Sequence, residues 1–309
     1  MQEFQKTLRR RYDFEGKGLH SGRQVKMSLL PAPENTGIRF LRTDLGPDAY
    51  IEAVADYVTQ TQRGTTLEKG EIRVSTIEHI LATFSGLGVD NAVIALDNLE
   101  VPILDGSSAP YIQAILPDGL EEQSAPRRWY TLEKPIFVRD EQSGAELEIT
   151  PADEFSIELT VDYNSEVLGV QHASFKMGDD FATEFAPCRT FVFFHELEFL
   201  AKNGLIKGGD VENALVIVEK PVPQEELDRM ADLFNVQHLT RTPAGYLDNV
   251  TLRFPNECVR PKLMDIMGDF SLVGCRFRAH VRAVKSGHKI NTDIAKRIRY
   301  ELLGGTSEC

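Results

Sequence analysis

The chain has 309 residues, of which 42% are hydrophobic and 26% charged, and a formal net charge of −13. This is the composition of a soluble globular protein with room for one large domain or two ordinary ones, and a charge this negative argues against a general nucleic-acid binder and a polybasic membrane anchor. The four cysteines, Cys188, Cys258, Cys275 and Cys309, form no C-x-x-C pair, so reduced thiols in a cytoplasmic protein are the plain expectation.

Residues 1–11 carry basic side chains with no apolar stretch behind them, unlike a secretory signal. Nowhere do roughly 20 apolar residues follow one another, as a transmembrane helix requires. Up to about residue 60, short apolar runs alternate with turn signals such as Gly16-Lys17-Gly18 and Pro31-Ala32-Pro33. Residues 25–30 and 38–41 read as strands. Ile77, Ile80, Leu81 and Phe84 recur at helical spacing and predict a helix over 75–85, stopped by Gly86 and Gly88. A buried strand follows at 91–96. The polar stretch 118–128 is the best linker candidate. Beyond it strands restart at 136–138, 146–149 and 156–161, and helices are expected near 194–203, 224–234, 262–273 and 291–302. Strands then helices, twice, predict two α+β halves of similar size, although identity between them is too weak to mark a repeat.

Chemistry concentrates in a few segments. Ser75-Thr76-Ile77-Glu78-His79 sets a carboxylate beside a histidine at a helix start. The same letters fit the S-x-x-E capping box, in which the glutamate bonds back to the cap's backbone N–H, so a structural and a catalytic Glu78 both stand. In the segment from Pro261 to Asp269, positions 261, 265 and 269 stack on one helix face, drifting about 40° per step. Two carboxylates on one face repel unless a cation lies between them or each has its own partner. Lys262 and His288 are the cationic candidates, and a solvated acidic face is the alternative. Lys285-Ser286-Gly287-His288 follows the β-like run 280–284 and puts a histidine on a turn, in a cleft or in water. Cys188-Arg189-Thr190-Phe191-Val192-Phe193-Phe194 passes from polar to aromatic, which suits either ordinary core or the wall of an apolar channel. Lys207-Gly208-Gly209-Asp210 is too short for a phosphate-binding P-loop.

Together these segments make the chain resemble the UDP-3-O-acyl-N-acetylglucosamine deacetylases of lipid A biosynthesis. The marks run almost end to end: Gly16-Lys17-Gly18-Leu19-His20-Ser21-Gly22, Gln62-Arg63-Gly64-Thr65-Thr66, Ser75 to His79, Pro102-Ile103-Leu104-Asp105-Gly106-Ser107, Arg189-Thr190-Phe191, Gly204-Leu205-Ile206-Lys207-Gly208-Gly209-Asp210, residues 262–269, and Gly287-His288. Two of them look most like the form found in Bacteroidetes, where the domain is often fused to a dehydratase; the sequence given ends without one. The resemblance implies an α+β fold of two similar halves, 1–124 and 128–305, with helices sandwiched between two β-sheets and an acyl-passage insert at about 187–222. It implies zinc-assisted hydrolysis of the acetamide of UDP-3-O-(3-hydroxyacyl)-N-acetylglucosamine, the ion being held by two histidines and an aspartate with a position left for water. Carried over by motif, Glu78 is the general base and His79 and Asp265 are metal ligands. Thr190 helps hold the oxyanion, Lys262 stabilises negative charge, and His288, oriented by Asp269, protonates the leaving amine. Lys285 is a candidate for the substrate diphosphate, and Phe191 and Phe193 border the sugar and the acyl passage.

One position departs from the pattern. The family motif reads His-Lys-x-x-Asp, whereas this chain reads Pro261-Lys262-Leu263-Met264-Asp265. One histidine ligand is gone, and Zn2+ is expected to be weakly held or absent. Losing even a partner of a ligand typically costs about 10–100-fold in affinity or activity. His20 and Cys258 are the candidate substitutes. The expectation is a zinc amidohydrolase framework; its rival is a metal-poor homologue that binds the acylated UDP-sugar as a sensor or regulator.

Overall fold

The computed structural model describes residues 2–202, 207–208, 213–234, 236–249 and 251–304. Most of the motif at 204–210 and part of the 187–222 insert therefore lie outside the described residues. After β1 (Phe4–Leu8), β2 (Tyr12–Lys17) and β3 (Gln24–Pro31) form one antiparallel hairpin, and β4 (Ile38–Arg42) and β5 (Tyr50–Glu52) form another. A small sheet of β6 (Val58–Gln60), β7 (Thr66–Lys69) and β8 (Ile72–Ser75) leads into α1 (Glu78–Leu87). β9 (Ala92–Leu96) then enters between the hairpins, antiparallel to β3 and parallel to β4, giving the order β2-β3-β9-β4-β5. Next come α2 (Ala109–Ile115) and β10 (Leu120–Pro126).

β10 corrects the linker expectation. It pairs antiparallel with β1, and Glu34 accepts the Ser124 N–H at 2.6 Å. The stretch is polar because most of its side chains face water on a two-stranded ribbon, while its backbone pairs with β1.

The second half repeats the scheme. β11 (Trp129–Thr131) runs beside the start of the last strand. β12 (Ile136–Asp140) and β13 (Ala145–Pro151) form a hairpin, as do β14 (Ser156–Asp162) and β15 (Val170–Lys176). An excursion follows through α3 (Phe181–Glu184), β16 (Phe191–Phe193), α4 (Phe194–Lys202), β17 (Leu215–Ile217) and α5 (Gln224–Phe234). Then α6 (Val259–Ser271) leads into β18 (Arg276–Val284), which enters between the hairpins, antiparallel to β13 and parallel to β14, before α7 (His288–Leu302). The order β12-β13-β18-β14-β15 matches that of the first sheet strand for strand, including its one parallel pair.

The fold is α+β, with α1 and α6 packed between the two sheets, whereas α4 and α5 pack in a separate apolar cluster with Val216 and Leu247. Side chains alternate along β3 and β14, so each sheet has one apolar face. A single apolar cluster runs from Met27, Phe40 and Ile94, through Leu81 and Phe84 of α1 and Ile266 and Phe270 of α6, to Leu147, Ile157 and Val281. Each such buried side chain contributes about 1.5–3 kcal/mol relative to exposure. Among the described residues no helix is long and apolar enough to cross a membrane.

The contact that sets the site is the crossing of α6 over the start of α1. A Cβ on Gly268 would lie 2.3 Å from the Glu78 carbonyl oxygen, so only glycine permits this approach. Gly268→Ala is expected to push the helices apart at a cost of about 1–3 kcal/mol. Denaturant unfolding measures this, and an unchanged midpoint would contradict the close approach.

Candidate active site

α1 begins at Glu78, and the residue before it makes no side-chain capping bond. The capping-box interpretation is thereby overturned. Ser75 belongs to β8 and gives its N–H to Leu99 O at 2.9 Å, while Glu78 Oε2 accepts the N–H of Thr65 at 3.0 Å. The cause is Thr76, whose φ of +57° turns the chain sharply between β8 and α1 and carries Ser75 away from the helix end. A β-branched residue there costs on the order of 1–3 kcal/mol and persists only when its surroundings over-determine it. Thr76 is held by its hydroxyl, which donates to buried Glu100 at 3.0 Å; Glu100 also accepts the N–H groups of His20 and Ser21. Gly64, at φ +156°, leaves room for the Glu78 carboxylate, since a Cβ there would sit 2.9 Å from Glu78 Oε1.

On α6, Asp265 and Asp269 are both buried, which disposes of the solvated acidic face. Lys262 Nζ lies 3.0 Å from Asp265 Oδ2, and His288 Nε2 lies 3.9 Å from the same oxygen. Burial pushes the Asp265 carboxyl up, but Lys262, His288 and His79 outweigh it and hold it below the usual carboxylate range. Asp265 in turn raises the Lys262 ammonium against the effect of burial. His288 is the first residue of α7, just after Lys285, whose φ of +51° tightens the turn. Its Nδ1 donates to Asp269 Oδ2 at 2.9 Å. Burial alone would lower its pKa, yet the Asp269 and Asp265 charges and the Asp269 hydrogen bond raise it to about 10.

Beside Lys262 opens a cavity of about 190 Å3, with His20, Arg63, Thr190 and Lys262 among its polar lining and Phe191, Leu200, Val216 and Phe234 among its apolar lining. Lys262 Nζ also stands 5.8 Å from the centre of the Phe191 ring. Phe193 is not among the lining residues. It packs with Phe191 against the cluster of Leu168, Tyr246 and Cys258, and Val192, on the opposite face of β16, lines the cavity instead. Lys285 is exposed on its turn and stands outside the cavity lining. Glu78, His79, Lys262, Asp265, Asp269 and His288 thus share one neighbourhood, and Thr190 and Phe191 lie on the cavity that adjoins it.

The family model for UDP-3-O-acyl N-acetylglycosamine deacetylase matches residues 5–240 and 236–300. The chain belongs to this family. The bifunctional enzyme LpxC/FabZ of Porphyromonas gingivalis is 43% identical over 298 residues, 96% of this chain and 64% of that one. Its namesake in Bacteroides thetaiotaomicron is 42% identical, over 96% of this chain and 65% of that one. The UDP-3-O-acyl-N-acetylglucosamine deacetylase of Myxococcus xanthus is 39% identical over 95% of this chain and 86% of its own length. This chain therefore spans slightly under two thirds of the two bifunctional relatives.

The donor set does not fit the zinc arrangement that the deacetylase motif implies. Pro261 stands one turn before Asp265, in the first turn of α6, where a missing N–H leaves no intrahelical bond unmade. The helix is intact, but the position offers no donor atom. Cys258 immediately precedes α6, fully buried in the Leu168–Tyr246 cluster, where burial pushes its thiol up to about 12 and keeps it protonated. The His20 ring lies 3.2 Å from Arg63 O. Among the described residues no group of three or more His, Cys, Asp or Glu side chains is placed to hold a metal ion.

Three contributors escaped the sequence reading. Thr65 was visible only as part of a motif, while Glu100 and Asn291, which donates to Asp269 at 2.9 Å, carried no signal of spacing or periodicity. The elevated His288 pKa has a measurable consequence. Below about pH 6.5 the imidazole is charged in both folded and unfolded states and its stabilisation is complete; that contribution is lost as pH rises through about 10. His288→Asn is expected to flatten this part of the stability–pH curve. Thermal unfolding between pH 6.5 and 10, in chelator, measures it, and parallel curves for the two proteins would contradict it.

Proposed function

We propose that this chain takes UDP-3-O-(3-hydroxyacyl)-N-acetylglucosamine in the cytoplasm and hydrolyses its acetamide to acetate and the free amine, as a step of lipid A biosynthesis. The observation that carries this is a buried carboxylate, Glu78, at the crossing of α1 and α6, in the same neighbourhood as the His288 imidazole, which is paired with Asp269 at 2.9 Å. Glu78 takes a proton from water as it adds to the carbonyl carbon. Thr190 and Lys262 face the negative charge that builds on the carbonyl oxygen. His288, with Nδ1 tied to Asp269, gives the Nε2 proton to the departing nitrogen as the C–N bond breaks. The acyl chain lies in the cavity against Phe191, and Lys285, exposed outside it, meets the diphosphate.

The family is generally zinc-dependent, and here Pro261 supports a second reading: a metal-poor homologue that holds the acylated UDP-sugar and turns it over weakly. Asp265 is already paired with Lys262, so an ion bound there would have to displace that ammonium. Protein loaded with zinc and then dialysed is expected to retain well under one ion per chain, and its melting temperature should change little in chelator, because the apolar core does not depend on the ion. Elemental analysis showing one zinc per chain would contradict this and point to His20 as the missing ligand.

Pro261→His is expected to raise deacetylation by about 10²-fold or more at matched zinc, since metal activation of water is a several-kcal/mol effect. Hydrolysis of the acylated UDP-sugar by both proteins is the measurement. Equal rates would reject Pro261 as the lesion, and inactivity of both would reject the deacetylase reading.

A further inference from the structure

We infer that Thr65 is a positioning residue that locks the proton acceptor and the proton donor of this site into one unit, an inference that rests on the roles proposed above for Glu78 and His288. Thr65 is completely buried and immediately precedes β7, in the small sheet of the first half. Its backbone N–H donates to Glu78 Oε2 at 3.0 Å. Its hydroxyl donates to Asp269 Oδ1 at 2.6 Å, across 204 positions of sequence. The same oxygen lies 3.3 Å from His288 Nδ1. One residue therefore touches both the base and the pair that forms the acid.

The hydrogen count gives these contacts a direction. A threonine hydroxyl has one proton and two lone pairs. At 2.6 Å from a carboxylate oxygen, that proton is committed to Asp269. Towards His288 the Thr65 oxygen can only accept, so it favours a proton on Nδ1, as does Asp269 Oδ2 at 2.9 Å. Nδ1 is thus held towards the floor of the site, and Nε2 is left as the ring nitrogen on the Asp265 side, 3.9 Å from that carboxylate. Asn291 supplies a further donor to Asp269 but touches neither Glu78 nor His288. Among the described hydrogen bonds it is Thr65 that joins the two, and its backbone arm survives side-chain truncation while its hydroxyl arm does not.

The experiment compares Thr65→Val and Thr65→Ala, which lack the hydroxyl, with Thr65→Ser, which keeps it. The hydroxyl-free arm is scored on whichever variant melts within a few degrees of the unsubstituted protein. In histidine-15N-labelled protein the His288 Nδ1–H resonance, assigned by its loss in His288→Asn, is expected to persist in Thr65→Ser and to shift or broaden without the hydroxyl. In whichever background turns over, unsubstituted or Pro261→His, kcat is expected to fall about 10–100-fold without the hydroxyl, with KM little changed and Thr65→Ser within a few-fold of the parent. An unmoved resonance in the hydroxyl-free variant would overturn the inference. So would a Thr65→Ser protein that behaves like Thr65→Val, which would assign the effect to the methyl group. If neither background turns over, the deacetylase reading fails while the resonance still decides the role of Thr65.

Discussion

The approach of α6 to the first residue of α1 is the constraint on which the rest of the site depends. It lets side chains from the two halves meet at a depth where the carboxylates are buried and hydrogen-bond partners are fixed. Gly268 makes the approach possible, and the following residue, Asp269, is the floor on which His288, Thr65 and Asn291 converge. One turn earlier on the same helix, Asp265 meets Lys262 and His288. Moving α6 by the width of a methyl group would disturb these bonds together, because each has an α6 carboxylate at one end.

The charge balance follows from that depth. Glu78, Asp265 and Asp269 bring three buried carboxylates within reach of two cationic groups, Lys262 and His288. Removing a charge from water costs several kcal/mol unless it is paired and hydrogen-bonded. Here each carboxylate has its own compensation: the Thr65 amide for Glu78, Lys262 for Asp265, and three donors for Asp269. The cluster is thus internally satisfied, and its elevated imidazole is a consequence of the acidic surplus around it.

Periodicity made the core and most helices legible in the sequence. Ile80, Leu81 and Phe84 do form the buried stripe of α1, and Gly88 ends that helix in the left-handed conformation. Where the sequence misled, a backbone fact with no compositional trace was responsible. The left-handed Thr76 turned an apparent capping box into a strand end, and the ribbon of β1 and β10 turned an apparent linker into paired structure. The likeness of the halves was hidden because what they share is the order and direction of strands, which many side-chain sets satisfy. Thr65 was hidden because it lies beside a glycine in an irregular segment, where neither a helical nor a strand period singles out one residue.

Proline at position 261 is informative because it alters chemistry while sparing architecture. Deeper in a helix it would break a backbone bond and clash with the preceding turn, at about 3 kcal/mol or more. In the first turn it does neither, and α6 runs through it to Ser271 with Asp265 and Asp269 still facing the site. Its side chain is buried and apolar, so the position it takes from an imidazole carries no donor to an ion. The ammonium of the next residue meanwhile lies on Asp265. Any cation that binds here must therefore compete with Lys262 for that carboxylate, using one fewer ligand than the family pattern provides. The hydrogen bonds of Glu78, Asp269 and His288 run through Thr65 and to one another, so proline at position 261 leaves these residues assembled.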